Sequence, residues 1–266
     1  MANIHPSAVV EEGAQIAPTA EIGPFCWISS KAKIGENVKL LARVTVYGDT
    51  TIGAGTVVFP GANLGTGPQD HGNEFVEGAK VIIGKNNVIR ENVTIHAGTP
   101  KEQKTTILGD DCMLMVNSHI AHDCVVGNHV IMTNNAVIGG HVRLGDGVIL
   151  GGNSAVHQFC RIGRKAMIGG VTGVDRDVIP FGIVTGDRGK LRGLNRIGMM
   201  RSGMDEATVK SVTKAYMYIF KGKEDTFEVR LEKAKEKFKD NELVMEQIKF
   251  ISEGLAGRRK IMTAEQ

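Results

Sequence analysis

Asn117-Ser-His-Ile-Ala-His-Asp-Cys-Val-Val-Gly-Asn-His-Val-Ile-Met132 has an aliphatic residue or methionine at every sixth position, at Ile120, Val126 and Met132. Stepping by six in both directions extends this to Leu108, Leu114, Ile138, Leu144, Leu150, Val156, Ile162, Ile168 and Val174. Nearer the N-terminus the same step gives Ile4, Val10, Ile16, Ile22, Ile28, Ile34, Leu40, Val46, Ile52, Val58 and Leu64. A shorter run, Ile83, Ile89 and Ile95, lies between them. A period of six fits neither an amphipathic helix nor the plain alternation of strand faces. It is an internal repeat, and repeats decide a fold before single elements do.

A second column stands two residues before the first and is small or β-branched, as at Ala8, Ala14, Ala20, Ala32, Ser118, Val130, Ala136 and Val142. All four cysteines, Cys26, Cys112, Cys124 and Cys160, fall in this column. They read as small core residues and not as metal ligands, and no metal site is expected. Each unit of six is a short strand plus a turn, three units make a triangular coil, and stacked coils bury their aliphatics against one another. Glycine after the aliphatic, as in Ile22-Gly23, Ile34-Gly35, Ile52-Gly53 and Leu144-Gly145, is assigned to a tight corner. The expected fold is mainly β, a parallel β-helix over residues 1–186. Loops are thrown out near 65–80 and 99–106, where function is expected.

After Pro180 the period becomes helical. Val209, Val212, Tyr216 and Ile219 share one face of a helix over 205–220, with Asp205 as its N-cap. Asp225-Thr-Phe-Glu228 reads as a capping box before Leu231, Ala234 and Phe238. A third helix runs from Asn241 to Glu253, with Gly254 as its stop. Residues 187–266 are thus a C-terminal α-helical appendage. Its Lys233, Lys235, Lys237 and Lys239 read as a solvated face, and with Arg258, Arg259 and Lys260 they also suit an acidic protein partner.

Composition narrows the classes. Hydrophobic residues form 42% of the 266, enough for a core and against disorder. A net charge of +3 gives no ground for nucleic-acid binding. No apolar run reaches membrane-span length, and the N-terminus has no basic and apolar leader. A cytoplasmic location is expected, with no disulfides required.

The coil period of eighteen locates the chemistry. Histidines gather at His119, His122, His129, His141 and His157. Adding eighteen to 122 reaches Gly140, and another eighteen reaches Gln158. The three should stack about 4.8 Å apart on one edge, flanked by His141 and His157. An imidazole there can take a proton from an attacking hydroxyl, and a glycine N–H can stabilise an oxyanion. No nucleophilic serine or cysteine is obvious, so direct acyl transfer is favoured over a covalent intermediate. The edge lacks a second wall, so the prism is expected to pack as a homotrimer with sites between subunits.

Asn117-Ser-His-Ile-Ala-His-Asp-Cys124, Gly139-Gly-His141, Ala155-Val-His-Gln-Phe-Cys160 and Gly193-Leu-Asn-Arg-Ile-Gly-Met-Met-Arg201 resemble the motifs of the UDP-N-acetylglucosamine O-acyltransferases of lipid A synthesis, among the hexapeptide-repeat acyltransferases. The resemblance spans nearly the whole chain. It implies a left-handed winding of the prism, against the usual right-handed crossover. It also implies a homotrimer, with acyl carrier protein bearing a 3-hydroxyacyl chain as donor and a UDP-amino sugar as acceptor, without a cofactor. In these terms His122 is the general base, Asp123 its assistant and Gly140 the oxyanion donor. His119, His141, His157 and Gln158 line the sugar and carrier sites, and Asn195 and Arg201 contact the nucleotide sugar or the donor. Asp70 binds the sugar, and Gly170 limits the acyl length.

Three departures from the family pattern stand out. The family loop usually reads Gln-Asp-Leu-Lys-Tyr, whereas here it reads Gln69-Asp70-His71-Gly72-Asn73, so the lysine is missing. Ser202 stands where many relatives have a second arginine, and Arg188 sits in a less typical turn. Two acceptors therefore stay open, a 3-hydroxyl giving an ester and a 3-amino group giving an amide. A γ-carbonic-anhydrase-like metalloenzyme is a third reading on the same repeat, although no ligand spacing of that type is recognisable.

Overall fold

A computed structural model describes residues 2–73, 76–257 and 260–262. The hexapeptide positions form three sheets of parallel strands, which among the described residues have eleven, nine and eight strands, the eleven including one antiparallel strand at the end of the first sheet. The first sheet contains Asn3–Ile4, Glu21–Ile22 and Lys39–Leu40, the second Val9–Val10 and Trp27–Ile28, and the third Gln15–Ile16 and Lys33–Ile34. Successive coils stack in register, Ile4 on Ile22, Ile22 on Leu40 and Leu40 on Val58. The same column continues through Leu114, Met132, Leu150 and Ile168. From Ile22 onward these aliphatics are almost fully buried. Burial of one such side chain is worth about 1.5–3 kcal/mol. The fold is a left-handed parallel β-helix with C-terminal helices.

The corner residues differ from those expected. Gly23, Gly35, Gly53 and Gly145 have no left-handed φ. Their missing Cβ makes room for the next coil. A Cβ at Gly35 would stand 2.9 Å from the Ile52 carbonyl, and one at Gly53 2.5 Å from that of Gly84. The left-handed turns lie three residues before the buried aliphatic, at Asn117, Asp123, His129, Asn135, His141, Asn153 and Phe159, with φ between 55° and 67°. Asparagine and aspartate tolerate this region best among residues with a side chain. Their amides also form a ladder, Asn117 Nδ2 donating to Asn135 Oδ1 at 3.2 Å and Asn135 Nδ2 to Asn153 Oδ1 at 3.1 Å.

The last parallel strand, Gly182–Thr185, turns back into an antiparallel partner, Lys190–Leu194. Four helices follow: α1 (Arg196–Arg201), α2 (Glu206–Lys221), α3 (Phe227–Lys237) and α4 (Glu242–Ala256). Asp205 caps α2 as expected, accepting from Thr208 N. The capping box does not form. Thr226 is the cap of α3, and Asp225 pairs with Lys233 at 2.7 Å. Gly254 lies inside α4, which runs on to Gly257. It faces the prism, where a Cβ would stand 2.5 Å from Arg161 Nη2. The short α1 has no long apolar stripe to announce it in the sequence. α4 docks on the third sheet's side through the Arg164–Glu246 pair at 2.6 Å and Gln247 Nε2 donating to the Pro180 carbonyl at 2.9 Å. Arg258 and Arg259 lie outside the described residues. No described helix is long and apolar enough to cross a membrane.

Candidate active site

Both long loops leave the prism at one corner, where the second sheet passes to the third. The first joins Asn63–Thr66 to Lys80–Ile83, and the second joins Thr94–His96 to Thr105–Leu108. The next coil crosses the same corner between His119–Ile120 and Val125–Val126, which puts His122 and Asp123 directly beside the second loop. The two coils beyond bring Gly140 and Gln158 to the corner, as the eighteen-residue period requires. Backbone bonds from His141 N to His122 O and from Phe159 N to Gly140 O, both 3.0 Å, lock the spacing.

The His122 ring lies over Gly140, where a Cβ would stand 2.5 Å from Nε2. Its Nδ1 faces Asp123 Oδ2 at 3.0 Å. Adjacent residues meet in this way because Asp123 occupies the left-handed corner, φ 57°, which turns its carboxylate inward. That carboxylate is fully buried. Thr99 holds it through its backbone N–H, 3.0 and 2.9 Å from the two oxygens, and its hydroxyl at 2.6 Å. Hydrogen bonds of this kind are what a buried carboxylate requires. The effect is to fix Nδ1–H of His122 as donor, with Nε2 as the basic atom. The Gly140 N–H makes no hydrogen bond among the described residues.

A second column, Asp123–His141–Phe159, runs beside the first. His141 stacks on Phe159 at 4.4 Å and meets the His122 ring edge-on at 5.0 Å. Its Nδ1 is 3.3 Å from Glu102, which also accepts from Arg143 at 3.2 Å. His122, Asp123 and His141 offer ligand atoms within 4.8 Å of one another, a spacing that could hold a cation. The Asp123 oxygens, however, are already engaged by Thr99 and His122.

His119 lies one step back, with Nδ1 2.7 Å from the Thr94 hydroxyl. Behind it is His96, which the sequence reading did not single out, with its ring edge-on to His119 at 4.8 Å. His96 is buried and its Nδ1 has no partner among the described residues. A second proton would be buried without an acceptor. Burial first, then the neighbouring His119 and His122, push its pKa down to about 4; burial also lowers that of His119. The unfolded chain therefore takes up this proton at a higher pH than the folded one. Stability should be complete above pH 6.5 and fall by roughly 3 kcal/mol as pH drops to 4. Urea denaturation of wild type and His96→Gln across that range checks this. The variant should show a shallower loss, and parallel curves would contradict the assignment.

Asp70, on the first loop, accepts at Oδ2 from Lys101 Nζ and from Asn73 Nδ2, both at 2.8 Å. These bonds, Lys101 first, hold its carboxyl below the usual carboxylate range, with a smaller pull from His122. The cation missing from the first loop is thus supplied in space by the second. Lys80, the nearest lysine in sequence, instead pairs with Asp49 at 3.4 Å.

The other expected residues lie farther along this corner or away from it. His157 and Gln158 are exposed at the upper end of the corner, and His157 borders a 410 Å³ cavity with Asp175 and Arg188. His129 sits at the corner between the third and first sheets, apart from the other histidines. Gly170 is exposed at the corner between the first and second sheets. Asn195 is the N-cap of α1, its Oδ1 accepting from Gly198 N at 2.9 Å. With Arg201 it borders an 850 Å³ groove along the first sheet, lined by Ile149, Met167, Ile183 and Met200. One chain therefore does not bring His129, Gly170, Asn195 or Arg201 to the His122 corner. The four cysteines are buried and free. Burial pushes Cys112 up to about 11 and Cys124 up to about 12, so neither is poised as a nucleophile.

A stacked hexapeptide prism with a paired imidazole and an open glycine N–H on one corner defines a hexapeptide-repeat transferase. Residues 105–140 match the bacterial transferase hexapeptide (six repeats), and residues 177–262 match domain 2 of the UDP-N-acetylglucosamine O-acyltransferases. The chain is 47% identical to the acyl-acyl-carrier-protein–UDP-N-acetylglucosamine O-acyltransferase of Rhizobium etli, over 94% of this chain and 92% of that one. It is 45% identical to the Bartonella henselae enzyme of the same name, over 94% and 90%. The crystal structure of UDP-N-acetylglucosamine O-acyltransferase from Moraxella catarrhalis RH4 superposes with a TM-score of 0.91 at 34% identity, over 97% of this chain and 99% of that one. The chain belongs to the UDP-N-acetylglucosamine O-acyltransferase family.

Proposed function

We propose that the protein transfers a 3-hydroxyacyl chain from acyl carrier protein to the 3-hydroxyl of UDP-N-acetylglucosamine, the first step of lipid A synthesis, in the cytoplasm. The observation that carries this reading is the His122 ring, tied at Nδ1 to a buried carboxylate and lying against Gly140, whose N–H makes no hydrogen bond among the described residues. Nε2 takes the hydroxyl proton as the sugar oxygen attacks the thioester carbonyl. Asp123 stabilises the imidazolium that forms. The oxyanion accepts from Gly140 N–H. The intermediate then collapses, the C–S bond breaks, and the leaving thiolate recovers the proton from His122. No acyl-enzyme is needed. In this reading Asp70, His119, His141, His157 and Gln158 line the acceptor and carrier sites. A competition assay with 3-hydroxyl and 3-amino sugar nucleotides tests the acceptor. Ester formation should dominate, and preferential amide formation would replace this reading with N-acyl transfer.

The working unit in this proposal is a homotrimer. Threefold packing of prisms would set the His122 corner of one copy against a neighbour's first-sheet side, adding Asn195, Arg201 and the apolar groove to a closed cleft. Gly170 would then line the acyl channel and set its length. Its φ is not left-handed and a Cβ would meet only Gly152, its carbonyl oxygen at 3.3 Å and its nitrogen at 3.9 Å, so a small shift of that backbone should admit a side chain. Gly170→Met should fold, assemble and prefer shorter 3-hydroxyacyl donors, each lost methylene contact being worth about 0.8 kcal/mol, or roughly fourfold. Product analysis across donor lengths checks it. An unchanged length profile in a folded variant would remove Gly170 from this role.

A further inference from the structure

The second loop does more than border the site. Within residues 99–104, Thr99 binds the Asp123 carboxylate, Lys101 binds Asp70, and Glu102 sits 3.3 Å from His141. The segment is pinned where it starts. A Cβ at Gly98 would stand 2.7 Å from Asp123 Oδ1, and Lys101 N donates back to the Thr99 hydroxyl at 3.3 Å. The lysine therefore projects from a short, anchored turn.

We propose that Lys101 is a positioning residue for the acceptor, holding the Asp70 carboxylate so that one oxygen is presented to a sugar hydroxyl. This rests on the functional reading above. Lys101 and Asn73 both engage Oδ2, which among the described residues leaves Oδ1 to accept from the substrate. The ion pair bridges the two loops, Asp70 coming from the first and Lys101 from the second. The Lys101 side chain is 59% exposed and that of Asp70 24%, so the pair stands at the mouth of the site. Without the lysine, Asn73 alone would orient Asp70, and the carboxylate would face an anionic nucleotide sugar with its charge uncompensated.

Steady-state kinetics of the full-length enzyme with UDP-N-acetylglucosamine and 3-hydroxyacyl carrier protein test this. Lys101→Ala should raise KM for the sugar nucleotide roughly fivefold, with KM for the acyl carrier protein within about twofold. Lys101→Arg should restore most of the loss. Asp70→Asn combined with Lys101→Ala should be no worse than Asp70→Asn alone, since both remove one contact. An unchanged acceptor KM in Lys101→Ala would overturn the proposal, as would additive effects or an equal rise in both KM values. Wild-type protein that turns over only a 3-amino acceptor would sink the functional reading instead, and the same cycle on that acceptor would still decide the role of Lys101.

Discussion

His122→Ala is expected to lower kcat by roughly 10²–10⁴-fold, the usual contribution of a general base, while the prism stays folded. The ring is a corner side chain with 13% of its surface exposed and contributes nothing to the buried aliphatic columns. Its removal leaves Asp123 still bound by Thr99 through three hydrogen bonds, so the buried carboxylate is not orphaned. The KM values should change far less than kcat, because the base acts on a proton that moves only in the transition state. Thermal denaturation close to that of wild type, together with the kinetic loss, is the expected pair of results. Turnover within a few-fold of wild type would reject His122 as the base.

Gly140→Ala is expected to cost roughly 10²–10³-fold in kcat through the addition of a single methyl group. The new Cβ would stand 2.5 Å from His122 Nε2. The backbone cannot retreat, because the His141 N to His122 O and Phe159 N to Gly140 O bonds fix both coils. The ring must swing away, which breaks its 3.0 Å contact with Asp123 and takes the base from the reacting hydroxyl. If this is the cause, adding His122→Ala to Gly140→Ala should cost little more than His122→Ala alone. Full additivity would mean that the two residues act separately, and near-normal turnover in Gly140→Ala would mean that the ring has another stable position.

The prism was legible because stacking makes side-chain spacing arithmetical. A step of six found the buried residues from Ile120 to Met132, one on each sheet, and a step of eighteen put His122, Gly140 and Gln158 on one corner, as the ladder bears out. The glycines misled in one respect. Gly35 and Gly53 mark close approach of the next coil, whereas left-handed φ belongs to Asn117, Asp123 and their equivalents, which share a phase of six that the aliphatic count passes over. The same phase would have found the Asp123–His141–Phe159 column.

Contacts that leave the lattice were not legible. Thr99, Lys101 and Glu102 reach Asp123, Asp70 and His141 from a loop whose path no period fixes. A topological sign was nonetheless present. The two loops begin just after Leu64 and Ile95, and His122 stands two residues after Ile120, positions that share one sheet. The capping box at Asp225 failed because Thr226 offers an equivalent oxygen one residue later, while the Asp225 carboxylate is drawn to Lys233.

The account as a whole is tested most directly by the product. Purified protein should be incubated with UDP-N-acetylglucosamine and a mixed pool of 3-hydroxyacyl carrier proteins, and the nucleotide sugar analysed by fragmentation mass spectrometry, with His122→Ala alongside. The account predicts a single new species in the wild-type reaction, carrying one 3-hydroxyacyl group as an ester on the sugar's 3-oxygen, and only a trace of it with His122→Ala. An unmodified sugar nucleotide in the wild-type reaction, or an ester formed equally by the variant, would contradict it.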